Sequence, residues 1–419
     1  MQMNYKAILS KLVTLAFGEF SSKAFGFFTM VYLARVLGAD NFGMVGFVSA
    51  ISGYVLLFAN FGIEQYAARL LATGQLRESG HLIGSVLKSR LFLSLIFIVP
   101  FIIFGILYSA QSVVQWLFIF QSLFILANAF NLQFYFIAEK KILTLAILKT
   151  SVSFSILLCS IIFVKSTSDL ARVTFISGTV TLLFYASMVK YLFSKRIIVY
   201  SQYSFPNIVN MLKKSAPLGV SALMIQIYYS ADIVFLGFTN PGIDLGYYTG
   251  VYRIILLFTA IPGIIYMIFL PDLAKINSGH FHHRITRNYI GLLFGLGCIL
   301  PMIAYIFSRN IITLVLGISY IPAVGVFNIL LLNVFLVFVN VSLAHLLIVW
   351  DKQHKYLTVV ASGAIVNILS NIIMIPLFGI YGAAISTVFA ECAVLVMTLF
   401  YHRTIFGLFK KEDLISCEV

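Results

Sequence analysis

The sequence predicts an all-α integral membrane protein, a bundle of about twelve transmembrane helices. Three observations carry that prediction. Of 419 residues, 61% are hydrophobic and only 10% charged, with a mean hydropathy of +1.02; a soluble chain needs more polar residues to cover its surface. Apolar stretches recur at roughly the 20-residue length with which a helix crosses about 30 Å of hydrocarbon. Lysines and arginines fall almost wholly into alternate gaps between those stretches, as in a chain that crosses back and forth. Within hydrocarbon every backbone N–H and C=O has to be paired inside its own segment, so the crossings are helices.

In chain order the first crossing, about 8–34, leads through Leu37-Gly38 and Asn41-Phe42-Gly43 into the second, 44–63. The third, 82–108, contains Pro100, and the fourth, 114–138, carries Gln121 and Asn128 on one face. The fifth and sixth run over 142–164 and 173–193. The seventh, 215–238, holds Pro217 and Asp232; the eighth, 250–273, holds Arg253, Pro262 and Pro271. Pro301 lies in the ninth, 288–308, and Asn333 and Asn340 share a face of the tenth, 323–349. The eleventh and twelfth, 356–378 and 383–401, close the series, the last with Glu391. Prolines in or at the ends of crossings kink or hinge a helix. The paired amides suit hydrogen bonds between helices.

On one side lie 22 basic residues: Lys6, Lys11, Arg69, Arg77, Lys88, Arg90, Lys140, Lys141, Lys149, Lys190, Lys195, Arg196, Lys213, Lys214, Lys275, Arg284, Arg287, Lys352, Lys355, Arg403, Lys410 and Lys411. Arg35, Lys165, Arg172, Arg253 and Arg309 lie on the other. The positive-inside rule makes the richer side cytoplasmic, and an even number of crossings then puts both termini there. Topology thus explains much of the net charge of +14, and no nucleic-acid partner is expected. No short apolar region followed by a small-residue cleavage site opens the chain, so the first crossing is expected to be retained.

The basic connector between the sixth and seventh crossings divides the chain into an N-terminal six-helix bundle (1–193), a cytoplasmic connector (194–214), a C-terminal six-helix bundle (215–401) and a cytoplasmic tail (402–419). The leading hairpins of the halves are alike, since Leu236-Gly237 and Asn240-Pro241-Gly242 echo Leu37-Gly38 and Asn41-Phe42-Gly43. Parallel six-helix repeats enclose a central cavity and open it to each side in turn, which is alternating access. Gly18, Ser22 and Gly26 in the first crossing line one face, a ridge for close helix packing.

Ionisable groups deep in a crossing are the best functional candidates, because each costs about 2.5–3.5 kcal/mol to insert. Lys23 lies 15 residues after Ile8 and 12 before Arg35, roughly 18–22 Å from each. Glu19 stands one helical turn before it, so the two either neutralise each other or line a substrate site. Asp232 forms a polar patch with Gln226, Tyr228 and Ser230, and Arg253 starts the next crossing near the same level; the pair either closes the bundle as an outer salt bridge or gates it. Arg35 and Glu64 sit at span ends, placed for interfacial anchoring or gating. Glu391 has no basic partner in its own helix; it pairs with another helix or is held neutral by burial.

Cys159, Cys298, Cys392 and Cys417 have no C-x-x-C spacing and read as packing residues, not a disulfide framework or zinc site. His280, His282 and His283, beside Arg284 and Arg287, offer too few fixed ligands for a metal. G-x-x-x-x-G-K-[ST], G-x-S-x-G and H-E-x-x-H are all missing from the sequence, so neither ATPase nor hydrolase chemistry is supported. Without a nucleotide motif, transport would draw on an ion gradient, the membrane potential or downstream removal of its product, and no cofactor is expected beyond a coupling ion, proton or sodium.

Two runs stand near the start of the chain, Leu33-Ala34-Arg35-Val36-Leu37-Gly38-Ala39-Asp40-Asn41-Phe42-Gly43 and Asn60-Phe61-Gly62-Ile63-Glu64. Two more stand near its end, Asn367-Ile368-Leu369-Ser370-Asn371 and Ile375-Pro376-Leu377-Phe378-Gly379-Ile380-Tyr381-Gly382-Ala383-Ala384. On these runs the chain resembles the polysaccharide flippases of the Wzx type, within the multidrug/oligosaccharidyl-lipid/polysaccharide exporter superfamily. The resemblance implies a bacterial inner-membrane protein that moves an undecaprenyl-pyrophosphate-linked oligosaccharide from the cytoplasmic to the periplasmic leaflet. It also implies membrane lipids, a polysaccharide polymerase and a chain-length regulator as partners. Lys23 matches the basic residues such proteins carry on their first cavity-facing helix, which implies a pyrophosphate or acidic-sugar contact, although Glu19 beside it opposes that attraction. Lipid II flippases have further C-terminal spans, and a groove built from those is not expected here. The rival readings are a multidrug or cation antiporter of the same superfamily, and a membrane polysaccharide polymerase or ligase, which would need a sizeable outer loop with clustered catalytic groups.

Overall fold

The computed structural model describes the backbone of residues 5–72, 79–198, 205–276 and 284–405, and the side chains of 21–71, 80–198, 209–276 and 284–402. Arg77, His280, His282, His283, Lys410, Lys411 and Cys417, the surroundings of Gly18, and the side chains of Lys6, Lys11, Glu19 and Arg403 lie outside the described residues.

Among the described residues there is no strand. The helices are α1 (Tyr5–Asn60), α2 (Ile63–Ala72), α3 (Ser79–Tyr108), α4 (Ser112–Ala129), α5 (Gln133–Ala138), α6 (Ile142–Phe163) and α7 (Leu170–Ser194). They continue as α8 (Phe205–Thr239), α9 (Ile243–Leu273), α10 (Arg284–Ile306), α11 (Ser308–Val315), α12 (Val324–Val349) and α13 (Gln353–Ile405).

Ten described helical segments are long and apolar enough to cross a membrane. Two of them hold a second crossing. The 53 residues of α13 would span about 80 Å if straight, more than twice the hydrocarbon core. Gly379, at φ 56°, ψ −130°, breaks it, and Gly38, at φ 73°, ψ 171°, breaks α1 in the same way. A side chain disfavours both conformations and glycine does not. The expected gaps between the first and second and between the eleventh and twelfth crossings are these two kinks.

Two short helices lie where the sequence suggested connections. In α2, Glu64 opens the first turn and Arg69 closes the last, each charge opposing the helix dipole at its end. The Glu64 backbone N–H donates to the Asn60 side-chain oxygen at 3.2 Å. The other, α11, precedes a 3-10 segment, Ile318–Ala323, that leads into α12. The fourth crossing is broken at Phe130–Leu132, between α4 and α5.

By compactness the chain divides into two units, Met1–Gln226 with Pro241–Gly246, and Ile227–Asn240 with Tyr247–Val419, so the division falls inside α8. Within the first, α4 packs on α7 and α1 on α6. Ser22 meets Ser153 of α6 at 2.8 Å, while nothing lies within 4 Å of where a side chain on Gly26 would start; the small-residue ridge is in contact at only one of its described positions. Gln121 of α4 donates to Ser52 of α1 at 2.9 Å, an interhelical bond of the expected kind. The echo between the two leading turns also has a physical meaning. A Cβ on Gly246 would sit 1.7 Å from the carbonyl oxygen of Ala39, and one on Gly43 would sit 2.4 Å from the Gly246 nitrogen. These backbones touch. Within the second unit, α12 packs on α13 and α10 on α12.

Candidate functional site

Among the described residues, buried Asp, Glu, Lys and Arg side chains stand in three places. In the first unit, Arg90 of α3 is buried, 4% exposed. Its guanidinium donates to the backbone carbonyls of Asn131 (2.5 Å) and Asn128 (2.6 Å), where α4 ends before α5. It faces Glu64 of α2 at 3.9 Å. Burial pushes the Glu64 carboxyl above its ordinary range, and the nearby charges of Arg90 and Lys149 pull against that. Charge-assisted bonds to two otherwise terminal carbonyls are what a guanidinium fork is shaped to make. Glu64 is therefore tied to a buried arginine as well as standing at a span end. Arg90 itself was legible only as one of the 22 topology-setting bases.

The second place is Asp232 of α8, 2% exposed. One carboxylate oxygen accepts from the amides of Asn367 (2.9 Å) and Asn371 (2.5 Å) on the first half of α13. The other accepts from Tyr248 of α9 and Thr387 on the second half of α13, both at 2.7 Å. Three helices thus meet on one carboxylate, and all four donors are neutral. The donors also bond one another: Asn371 to Asn367 at 3.1 Å, and Tyr248 with Thr387 at 3.1 Å. Arg253 is exposed and is not among the partners of Asp232.

The third is Glu391 on the second half of α13, 4% exposed. Tyr228 of α8 donates to one of its oxygens, and the Asn340 amide of α12 donates to the other at 2.6 Å and to the Glu391 backbone carbonyl at 3.0 Å. Tyr228, which the sequence grouped with Asp232, belongs instead to Glu391. Among the described residues no three His, Cys, Asp or Glu side chains cluster as metal ligands.

Of the remaining candidates, Lys23 and Arg35 are exposed side chains of α1, one before and one just before the kink at Gly38. Residues that sequence reasoning missed at these sites are Arg90, Tyr248 and Thr387. Asn367 and Asn371 were read only within the motif that carries the resemblance and were not connected to Asp232.

Long apolar helices, two of them broken at glycines, describe a multi-pass membrane protein, and its fold is shared with solved transporter structures. A structure titled "Lipid II flippase MurJ, inward closed conformation" superposes with a TM-score of 0.72 at 14% identity, covering 93% of this chain and 87% of that one. An inward-facing multidrug resistance MATE family transporter of the MOP superfamily gives 0.71 at 16% identity, over 93% and 96%. The family model described as "Polysaccharide biosynthesis protein" matches residues 8–277, and the chain belongs to that family. It is 22% identical over 422 residues to the "Putative O-antigen transporter" of Escherichia coli (strain K12), covering 96% of this chain and 98% of that protein.

Proposed function

We propose that this protein is a flippase that carries an undecaprenyl-pyrophosphate-linked oligosaccharide, an O-antigen or related surface-polysaccharide repeat unit, from the cytoplasmic to the periplasmic leaflet of the inner membrane. The observation that carries this reading is membership of a polysaccharide biosynthesis family in a chain whose fold is shared with a lipid II flippase. A pyrophosphate and a hydroxyl-rich glycan do not cross hydrocarbon unaided, while a polyprenyl tail stays in lipid. The headgroup needs a polar path and a base to hold it. Lys23, stranded in the first helix, is the proposed pyrophosphate or acidic-sugar contact, moderated by Glu19; Arg253 is the second candidate base, and Arg35 and Glu64 belong to gating. The basic connectors and both termini face the cytoplasm, and the 1–193 and 215–401 bundles are the moving parts. A polysaccharide polymerase and a chain-length regulator act on the flipped product.

Asp232 supports coupling to an ion gradient. Its carboxylate, the Thr387 hydroxyl and the amide oxygens of Asn367 and Asn371 make an all-oxygen set of the kind hard cations take. The Asn371 Oδ1 atom is buried with no hydrogen-bond partner, and an amide turned end for end presents oxygen where nitrogen now points. Sodium or a proton fits that charge and size. The antiporter reading shares both the fold and this site, so the substrate decides between the two. Depletion in the native host tests it: single lipid-linked repeat units should accumulate on the cytoplasmic leaflet, and their normal arrival in the periplasmic leaflet would refute the flippase.

A further inference from the structure

The interior of the second unit is built in two layers one helical turn apart. On α8 the residues are Tyr228 and Asp232, on α9 Tyr252 and Tyr248, and on α13 Glu391 and Thr387, each pair at the four-residue spacing that stacks side chains on one helix face. Asp232, Tyr248 and Thr387 are joined by hydrogen bonds in one layer. Tyr228 and Glu391 are joined in the other. Tyr252 stacks on Tyr248 at 5.7 Å with planes 13° apart. Along α8 and α13 the Glu391 layer lies toward the end of α8 that joins the 194–214 connector, about 6 Å from the Asp232 layer.

We propose that Glu391 is a proton-binding site, and that it shares one negative charge with Asp232. Two ionised carboxylates in layers one helical turn apart, both buried, add a second uncompensated charge to a low-dielectric interior. Tyr228 and Asn340 donate to the Glu391 carboxylate, but among the described residues the titratable groups around it bring no positive charge: Tyr228 and Tyr229 on α8, Tyr252 on α9, Tyr356 on the first half of α13 and Cys392 beside it. His345 of α12 lies beyond, against Tyr356, and Arg253, next to Tyr252, is exposed. The surroundings also hold an acceptor for the proton. The Asn340 Oδ1 atom is buried without a partner, and with the amide turned end for end it accepts the O–H of a protonated Glu391.

The exchange balances. A monovalent cation enters beside the Asp232 carboxylate, the Glu391 O–H bond breaks, and one proton leaves to water, so the unit's charge is unchanged. This second half rests on the coupling-ion reading of Asp232; the first half does not.

Two measurements on the purified full-length protein test it. Infrared spectra at neutral pH without sodium should contain a protonated-carboxyl band that isotopic labelling of glutamate shifts in the wild type, and that is lost in both Glu391→Gln and Asp232→Asn. In weakly buffered solution with a pH dye, sodium chloride should release about one proton per protein from the wild type and none from either variant, against a salt of a large organic cation. A wild type with no glutamate-derived band, or a band that survives Glu391→Gln, overturns the proposal. Proton release that persists in Glu391→Gln assigns the proton to Asp232 and overturns the shared charge. A wild type with the band but silent to sodium overturns the cation reading of Asp232 and leaves Glu391 supported by the infrared result.

Discussion

Replacing Arg90 by methionine keeps most of the side chain's volume and removes its charge. Two charge-assisted bonds at the α4–α5 break disappear, each worth about 1.5–3 kcal/mol. The Asn128 carbonyl keeps a weaker partner in the Asn131 amide at 3.1 Å, so the two losses are not fully additive. Glu64 loses the charge that faces it, and stranding one member of a buried pair costs about 3–5 kcal/mol. Glu64 is 19% exposed in its side chain, so the low end of that range applies. With the Asn128 bond discounted, a total of about 5 kcal/mol at neutral pH is expected. The pH dependence has a definite sign. Burial already raises the Glu64 carboxyl above its ordinary value, so the folded state holds that proton more tightly than the unfolded chain does. The resulting destabilisation is absent below the ordinary glutamate range and grows as pH rises through it. Arg90 offsets part of it, and without Arg90 the deficit steepens. Denaturant titration of the purified protein in mixed micelles, at pH values from acid to neutral, measures both. A deficit under about 1 kcal/mol, a deficit that grows on acidification, or a double variant with Glu64→Gln that recovers nothing would refute the reasoning.

Further predictions address the other sites. Lys23→Ala should abolish export of the lipid-linked oligosaccharide while the protein's level in the membrane is unchanged, read by leaflet-resolved labelling of the glycan. Asp232→Asn keeps a similar shape and removes a buried charge, so thermal stability should hold within about 1–2 kcal/mol while ion-driven export is lost; normal export would remove Asp232 from the coupling role. Gly379→Ala should cost about 1–3 kcal/mol for a side chain at positive φ. Gly246→Ala should do more damage, because its Cβ would meet the Ala39 backbone at 1.7 Å; folded yield in detergent, compared between the two, checks the order.

Long apolar crossings are legible because hydrophobicity near 20 residues has few other uses, and the gaps read at residues 35–43 and 379–382 do contain the glycine kinks. The helices α2 and α11 were read as connections, since both are short and amphipathic and a search for crossings passes over them. Asp232 stands out in sequence because a carboxylate in an apolar run is rare. Its partners do not, because Asn367, Asn371 and Thr387 lie 135 to 155 residues away, and only folding selects them over the nearer Arg253. Arg90 was hidden differently: near a span end, a base that sets topology and a base that clamps a helix break look the same, and only the carbonyls left at the end of α4 distinguish them.

The distance between Asp232 and its partners also sets a timetable for synthesis. Tyr248 follows Asp232 by only 16 residues, but Thr387 follows by 155, and at about 5–20 residues per second the ribosome needs roughly 8–30 s to reach it. Through that interval the seventh crossing sits in the bilayer with its acid incompletely satisfied, a state about 2.5–3.5 kcal/mol uphill. A nascent chain cut short before its twelfth crossing never leaves that state. The set of four donors is complete only once Thr387 on the last crossing is in place, so this one carboxylate ties the end of the helical series to the start of its second unit.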